Sequence, residues 1–313
     1  MKYLIKKTIT LIITLLVVTF LTFIAFEIIP GDSAVIGLGV DATEEQVEAY
    51  REQLGLNDPV LVRYGRYLAG IVQGDFGTSV QYQVPVDSLL QDRLPVTISL
   101  GVVSILLIVV ISLPFGIFTT RKENSKWEGL AQFITQLGMA IPPFFLGMMI
   151  TLVFGLILRW FTPGAYVSYS EDLGGFLYYM LFPAVAIAIP KIAMLVKFLR
   201  SSMKRQLELD YVRTAKSKGS STSRMLYGHV LKNALIPVIT FLAMIIAEVF
   251  AGSIIIEQVF NLPGLGRLLV VAISSRDFAV VQAIVLYIAT IVLVMNFLVD
   301  VMYQYIDPRV RVQ

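Results

Sequence analysis

Four ionisable residues, Glu27, Lys191, Glu248 and Asp300, fall within otherwise apolar runs of this 313-residue chain. A charge at the centre of a bilayer costs about 2.5–3.5 kcal/mol on insertion scales, so such a residue must face a wet path or meet a partner. Glu248 is roughly central in its run and is the strongest candidate for sensing a charged group on a solute. Lys191, directly after Pro190, could neutralise it. From the residues alone, a structural Lys191–Glu248 pair and a path-lining Glu248 both stay open. Glu27 and Lys197 lie near the ends of their runs, where a side chain can reach the interface. Asp300, towards the end of the last run, reads as a structural hydrogen-bonding group. Phe144 and Phe145 follow Pro142 and Pro143, whose kink could set their rings at a gate, with lipid or neighbouring helices as the plainer alternative.

Other chemistry is absent. No cysteine is present, which removes disulfides, thiol catalysis and cysteine-bound metals, and His229 alone cannot build a multi-histidine metal centre. No Gly-x4-Gly-Lys-Ser/Thr phosphate loop and no Ser–His or paired-Asp constellation occurs. We therefore expect no catalytic residue, no metal site and no resident cofactor on this chain.

The elements that position these residues are helices in a bilayer. Hydrophobic residues make up 57%, charged residues 15%, and the mean hydropathy is +0.77, against about 25% charged residues in soluble domains. A net charge of +3 is too small and dispersed for a nucleic-acid-binding face. Six apolar runs, at 8–29, 95–119, 129–160, 175–198, 233–256 and 278–304, are each long enough for a helical crossing, which needs about 20 residues. The fold class is thus all-α integral membrane with six transmembrane helices. The first run follows Lys2, Lys6 and Lys7 but exceeds the usual h-region of about 7–15 residues and lacks a small-x-small cleavage site, so it reads as an uncleaved span. Positive charge gathers at 1–7, 120–128, 199–232 and 305–313, which predicts those segments and both termini on the cytoplasmic side. Segments 30–94, 161–174 and 257–277 carry at least as many acids as bases and belong outside.

The long outer segment should itself be helical. Thr43 and Gln46 form a capping box ahead of a helix ending near Gly55, with Val47, Tyr50 and Leu54 on one face. A second helix, capped by Asn57 or Asp58 with Pro59 in its first turn, should run to Gly74 with Leu61, Tyr64 and Leu68 as its apolar stripe. Together they would form a small cap on the outer face.

The most informative stretch is the basic insertion Lys197 to Lys232, where Lys197, Arg200, Lys204, Arg205, Arg213, Lys216, Lys218, Arg224 and Lys232 face only Glu208 and Asp210. Residues 208–218 read as a helix with Leu207, Tyr211, Thr214 and Ala215 near one face and Arg213, Lys216 and Lys218 mostly on the other. Gly219 can take the left-handed conformation that ends it, and Ser220, Ser221 and Thr222 offer caps for the helix that follows. A bland alternative is a basic loop lying on anionic lipid.

Specific motifs favour another reading. Asp210-Tyr211-Val212-Arg213-Thr214-Ala215-Lys216-Ser217-Lys218-Gly219, with His229-Val230-Leu231-Lys232-Asn233-Ala234-Leu235-Ile236-Pro237, resembles the coupling loop of ABC-importer permeases of the peptide/nickel type. Arg213-Thr214-Ala215 replaces the general Glu-Ala-Ala triplet, and the tail proline is also replaced, departures typical of that branch. Similar to the same family are Pro30-Gly31-Asp32, Leu54-Gly55-Leu56, Gly74-Asp75-Phe76-Gly77-Thr78-Ser79, Arg93-Leu94-Pro95, and Ile141-Pro142-x-Phe144. So are Glu257-x-x-Phe260-x-x-Pro263-Gly264-Leu265-Gly266, Arg276-Asp277, Asp300-x-x-Tyr303 and Asp307-Pro308-Arg309. The resemblance covers essentially the whole chain and is to the first-permease, or B-type, subunit.

It implies a type I ABC importer permease fold in a bacterial or archaeal cytoplasmic membrane, working by alternating access. It also implies a second homologous permease subunit, two ABC ATPase subunits that bind ATP and magnesium, and an extracytoplasmic solute-binding protein. Asp210, Tyr211, Arg213, Thr214, Ala215, Lys218 and Gly219 become the expected ATPase-coupling residues. Oligopeptides or dipeptides are the leading solutes, with nickel chelates, glutathione and oligosaccharides as alternatives. An autonomous channel or secondary transporter is the rival of another class, which leaves the coupling loop without a task.

Overall fold

The computed structural model describes residues 2–28, 35, 38, 42–53, 55–123 and 125–306. Pro30-Gly31-Asp32, Leu54, the side chains of Asp300 and Tyr303, and Asp307-Pro308-Arg309 lie outside the described residues. In chain order the helices are α1 (Lys2–Ile28), α2 (Glu44–Gln53), α3 (Val60–Gln73), α4 (Val86–Arg121), α5 (Lys126–Ala140), α6 (Pro143–Ile157) and α7 (Leu173–Leu207). There follow α8 (Asp210–Ser217), α9 (Thr222–Val259), α10 (Leu265–Ser274) and α11 (Phe278–Ile306). Among the described residues no strand forms beyond a lone bridge between Thr78 and Pro85. Helices satisfy their own backbone groups, the condition for crossing hydrocarbon. Five helices have the length and apolarity to cross, and α5 with α6 supplies a sixth crossing as a pair bent by 96°.

That bend is sharper than a kinked single span. Each proline pushes the residue before it out of the helical region, and Ile141 and Pro142 are both extended, at ψ 123° and 142°. Pro143 then sits at the first position of α6, where its missing N–H costs nothing. By contrast, Pro183 and Pro190 lie inside an unbroken α7, and Pro237 inside α9. The helix that contains the expected second span, α4, starts at Val86 and runs 36 residues. At about 1.5 Å per residue it exceeds a hydrocarbon core of about 30 Å.

The chain divides into two units. The first comprises residues up to Thr97 together with Pro263–Leu293. The expected capping box is present: Gln46 Oε1 accepts from Thr43 N at 3.0 Å, and Thr43 Oγ1 accepts from Gln46 N at 3.4 Å. Gly74 closes α3 with φ +80°. The cap before α3 is Pro59, since the Asp58 carboxylate pairs with Arg66 at 2.5 Å instead. The stripe on α3 also differs: Leu61 is 73% exposed. Rather than standing clear as a cap, α3 packs against α1. Arg63 pairs with Glu27 at 2.7 Å, Tyr64 donates to Leu16 O at 3.1 Å, and Tyr67 stacks on Phe23. Glu27 is therefore partnered and does not simply reach for the interface.

The core of this unit gathers Val86 and Leu90 of α4, Leu265, Leu268 and Ala272 of α10, and Val280, Val281 and Ile284 of α11. A polar clasp holds it together. Asp277 is fully buried, and its Oδ2 accepts from Ser79 Oγ at 2.5 Å and from Gln81 N at 3.1 Å. Thr97 Oγ1 likewise accepts from Leu265 N at 2.9 Å.

The second unit, Ile98–Leu262 with the chain from Val294, is organised on α7 and α9, with α5 and α6 packed on α7. Leu195, Leu199 and Met203 of α7 and Val230, Ala234 and Val238 of α9 are buried. Two glycines allow close approach: a Cβ on Gly116 would stand 2.7 Å from Leu199 Cδ2, and one on Gly101 2.6 Å from the Phe250 ring. Tyr179 donates to Phe260 O at 2.9 Å beside the stacked rings of Phe161 and Phe182.

Replacing Asp277 with Ala strands the buried Ser79 hydroxyl and removes the acceptor of the part-buried Gln81 N–H, a cost of about 1–3 kcal/mol. We expect a clear drop in melting temperature for Asp277→Ala and a smaller one for Asp277→Asn, which keeps an acceptor; equal melting of all three proteins would contradict the clasp.

Candidate functional site

The platform between α7 and the rest of α9 is built from local rules. α7 ends at Leu207, and α8 begins at Asp210 after a two-residue break. At the far end of α8, Gly219 takes φ +79°, its N–H bonds Lys216 O at 3.0 Å, and Ser220 N bonds Ala215 O at 3.2 Å. This is the double bond pattern of a Schellman ending, which needs a left-handed residue. Ser221 then caps the next helix, its Oγ accepting from Arg224 N at 3.4 Å. The expected helix, turn and helix are all present, with α8 two residues shorter at its start than the run from 208.

From Thr222 the chain stays helical for 38 residues, through a widened π-turn at Leu226–Val230, to Val259. The platform and the fifth span are one rod. The rod is fixed to α7 where Ser202 Oγ donates to Ala234 O at 3.0 Å, above the buried Met203, Leu226 and Val230.

α8 itself is anchored by one buried side chain, Val212, which the sequence reading did not single out. Tyr211 and Ala215 are half-buried beside it, and Tyr211 donates to Gln206 Oε1 at 2.9 Å. Thr214, expected on that face, is exposed instead, its hydroxyl returned to Asp210 O at 3.0 Å. The side chains of Asp210 and Arg213 are 95% and 77% exposed and 3.5 Å apart, a pairing too solvated to stabilise much. Lys216 and Lys218 are exposed as well. α8 is thus a short rigid helix held by its underside, presenting a polar, mainly basic face.

The charged residues within the apolar helices are brought together. Lys191 of α7 and Glu248 of α9 form an ion pair, with side chains 16% and 47% exposed. Burial of the two is therefore unequal, and the acid is the open member. Glu248 stands in an exposed stripe on α9 with Thr240, Met244, Ala251 and Ile255. Phe144 and Phe145 occupy the first turn of α6 and are each more than two-fifths exposed. No group of three or more His, Cys, Asp or Glu able to hold a metal occurs among the described residues.

A second polar network escaped the sequence reading. Glu128 of α5 is mostly buried and pairs with Arg200 of α7, while Lys204 meets Glu123 at 2.6 Å and Glu128 at 3.8 Å. Gln132 Nε2 also donates to Glu128 at 3.1 Å. The only signal available in sequence was the spacing of Arg200 and Lys204 on one helix face.

These features, six apolar crossings and an exposed basic helix mounted on one of them, define a multi-pass membrane transport subunit. Two family descriptions match the chain: a binding-protein-dependent transport system inner membrane component over residues 112–312, and the N-terminal membrane component of such systems over residues 1–101. The chain belongs to the family of binding-protein-dependent transport system inner membrane components, with the type I ABC importer permease fold. It is 37% identical over 312 residues to the oligopeptide transport system permease protein AppB of Bacillus subtilis, covering 99% of each chain. It is 33% identical over 329 residues to the dipeptide transport system permease protein DppB of Alkalihalophilus pseudofirmus, again covering 99% of each. With the glutathione transport system permease protein GsiC of Salmonella paratyphi A it shares 35% identity over 312 residues and 99% of each chain. Membership in this family sets aside the autonomous channel and the secondary transporter.

Because nothing lies within 4 Å of a Cβ built on Gly219, its replacement tests backbone conformation alone. Asn tolerates the left-handed region and Val does not, at roughly 1–2 kcal/mol. Gly219→Val should open the 208–224 segment to trypsin at Arg213, Lys216 and Lys218, while Gly219→Asn should not; equal resistance of both would contradict the turn's role.

Proposed function

We propose that this chain is the first permease subunit of an ATP-driven importer and forms half of a translocation path for oligopeptides or dipeptides. Its partners in this reading are a second, homologous permease, two ABC ATPase subunits and an extracytoplasmic solute-binding protein. ATP and magnesium belong to the ATPases. Both termini, 120–128 and 199–232 lie in the cytoplasm, and 30–94, 161–174 and 257–277 face the binding protein.

The observation that carries this reading is the mounting of α8. An exposed helix with one buried anchor, joined through a fixed turn to a continuous 38-residue rod, is a lever looking for a socket. Asp210, Tyr211, Arg213, Thr214, Ala215 and Lys218 supply the contacts with an ATPase groove, and Gly219 sets the angle. ATPase closure displaces α8, and the rod turns that displacement into motion of the fifth span, opening the path alternately to either side.

The path itself is read from Glu248. Hydrocarbon penalises a half-exposed acid, so the α9 stripe that bears it faces a wet path, with Lys191 holding its charge in place and Phe144 and Phe145 at a constriction. The names of the relatives favour peptides. Glutathione is a tripeptide and fits the same chemistry, while nickel chelates and oligosaccharides are the alternatives that an uptake panel separates.

Two tests follow. Ala215→Trp or Gly219→Val in the assembled transporter should cut uptake by roughly tenfold or more, with ATP hydrolysis continuing or the ATPases released; normal assembly and uptake would overturn the lever. Glu248→Gln, at equal expression, should reduce uptake of solutes bearing a positive group most. Undiminished uptake across peptides, glutathione and nickel chelates would leave Lys191–Glu248 as a purely structural pair.

A further inference from the structure

α3 carries an apolar face that its own unit leaves uncovered. Leu61, Gly65, Ala69 and Val72 follow one another at steps of three or four residues and are all exposed, Leu61 by 73% and Val72 by 87%. Val62 borders this row on one side, with Arg66 and Gln73 beyond it, and Leu68 borders it on the other. An uncovered apolar row in water is a liability, and the contacts of α3 place it elsewhere. Tyr67 stacks on Phe23, while Tyr64 sets its ring edge-on to Phe20 at 5.2 Å and donates to Leu16 O at 3.1 Å. On α1 these residues lie five, eight and twelve positions before Ile28, where the apolar window ends, or roughly 8, 12 and 18 Å along the helix axis. That window, Ile5–Ile28, is about 36 Å long and exceeds a hydrocarbon core of about 30 Å by about 6 Å. Even with all of the surplus on this side, Phe20 and Leu16 lie inside the hydrocarbon. α3 is therefore held at the boundary between headgroups and acyl chains, the setting of an interfacial amphipathic helix.

A groove continues this face. It has a volume of about 460 Å³ and lies among α1, α3 and α11, with Ile12, Leu16, Leu68, Val72 and Leu286 in its walls. Leu68 and Val72 thus belong both to the groove and to the row on α3. Two threonine hydroxyls reach the groove and are already engaged: Thr19 Oγ1 donates to Leu16 O at 2.9 Å, and Thr290 Oγ1 to Leu286 O at 2.7 Å. A peptide lying there would leave its backbone groups unpaired, and water would find too few partners. The choice between a partner helix and lipid is made by α1. Ile12 and Leu16 also belong to its exposed face, and from Ile12 to Leu21 every exposed residue of α1 is large and apolar: Ile12, Ile13, Leu16, Val17, Phe20 and Leu21. Helices that pack on one another in a bilayer draw on small residues, so a face of this kind belongs to acyl chains. We propose that α3 lies in the membrane interface with its Leu61–Val72 row among lipid acyl chains, and that one chain occupies the groove beside α1 and α11. α3 anchors the outer segment to the bilayer in this way. Which leaflet it enters rests on the topology proposed above, whereas its contact with lipid does not.

Because the chain has no cysteine, a single nitroxide can be placed on it in the complete transporter, with cysteine-free partner subunits, reconstituted in phosphatidylcholine bilayers. Its collisions with oxygen, which concentrates in hydrocarbon, and with a water-soluble nickel chelate report what surrounds it. A label on Val72→Cys should lose nearly all the chelate collisions seen with a label on Glu52→Cys, an exposed position of α2, and should gain oxygen collisions over it. Free access of the chelate would put the row in water, and shielding from both reagents would put a partner chain on it; either result overturns the proposal. The unaltered transporter gives a second measurement that depends on no substitution. Phosphatidylcholine bearing a diazirine at the end of one acyl chain should, on illumination, attach within residues 68–76 of the tryptic peptide Tyr67–Arg93, and absence of that adduct overturns occupancy of the groove. Both measurements read lipid whatever the solute and whichever way the chain is oriented, so their failure and the failure of peptide import are separate results.

Discussion

Everything this subunit is proposed to do depends on a joint of three residues, Gly219 to Ser221. A helix can transmit displacement only if its ends are fixed, and α8 has just one buried anchor of its own, Val212. The left-handed Gly219 satisfies the closing carbonyls of α8, and Ser221 satisfies an opening N–H of α9. The two helix ends are thereby held in one geometry, with three of their terminal backbone groups paired locally. Because α9 stays helical from Thr222 to Val259, the proposed displacement of α8 would be carried to the span that bears Glu248.

Packing makes that rod work against something. α7 and α9 share buried faces, the Ser202–Ala234 hydrogen bond ties their ends, and the Lys191–Glu248 pair ties them further along. Gly116 brings α4 against Leu199, next to the Arg200–Glu128 contact that joins α5 to α7. In hydrocarbon there is little hydrophobic gain from helix–helix contact, so close approach at small residues and polar bonds across helices carry the association. The opposed requirement is a break, and the pair Pro142–Pro143 provides it by dividing the third crossing into two rigid pieces.

What the sequence made legible was local. The Thr43–Gln46 capping box, the left-handed Gly74 and Gly219, and the Ser221 cap are each decided within five residues, and each formed as expected. Lys191 with Glu248 was legible for a different reason: two charges of opposite sign within adjacent apolar runs have few alternatives. Long-range choices were hidden. Ser79 and Asp277 are 198 positions apart, and nothing in either neighbourhood announces the other. Arg63 pairs with Glu27, 36 positions away, and Arg66 takes the Asp58 carboxylate that was expected as a cap for α3. Val212 was missed because an apolar periodicity count favoured Tyr211 and Ala215, whereas tertiary contact chose the residue between them. The proline pair signalled a kink without giving its size, since 96° follows from two successive residues held extended rather than one.

The absence of native cysteine makes one experiment especially direct. A single Arg213→Cys substitution on the exposed face of α8, treated in the assembled transporter with a short thiol-to-amine cross-linker, should yield an adduct with an ATPase subunit and should resist thiol reagents applied from outside the cell. A single Val72→Cys on α3 should give no such adduct. Absence of the ATPase adduct from the Arg213→Cys transporter, with modification from outside instead, would contradict a drive helix seated on the motor.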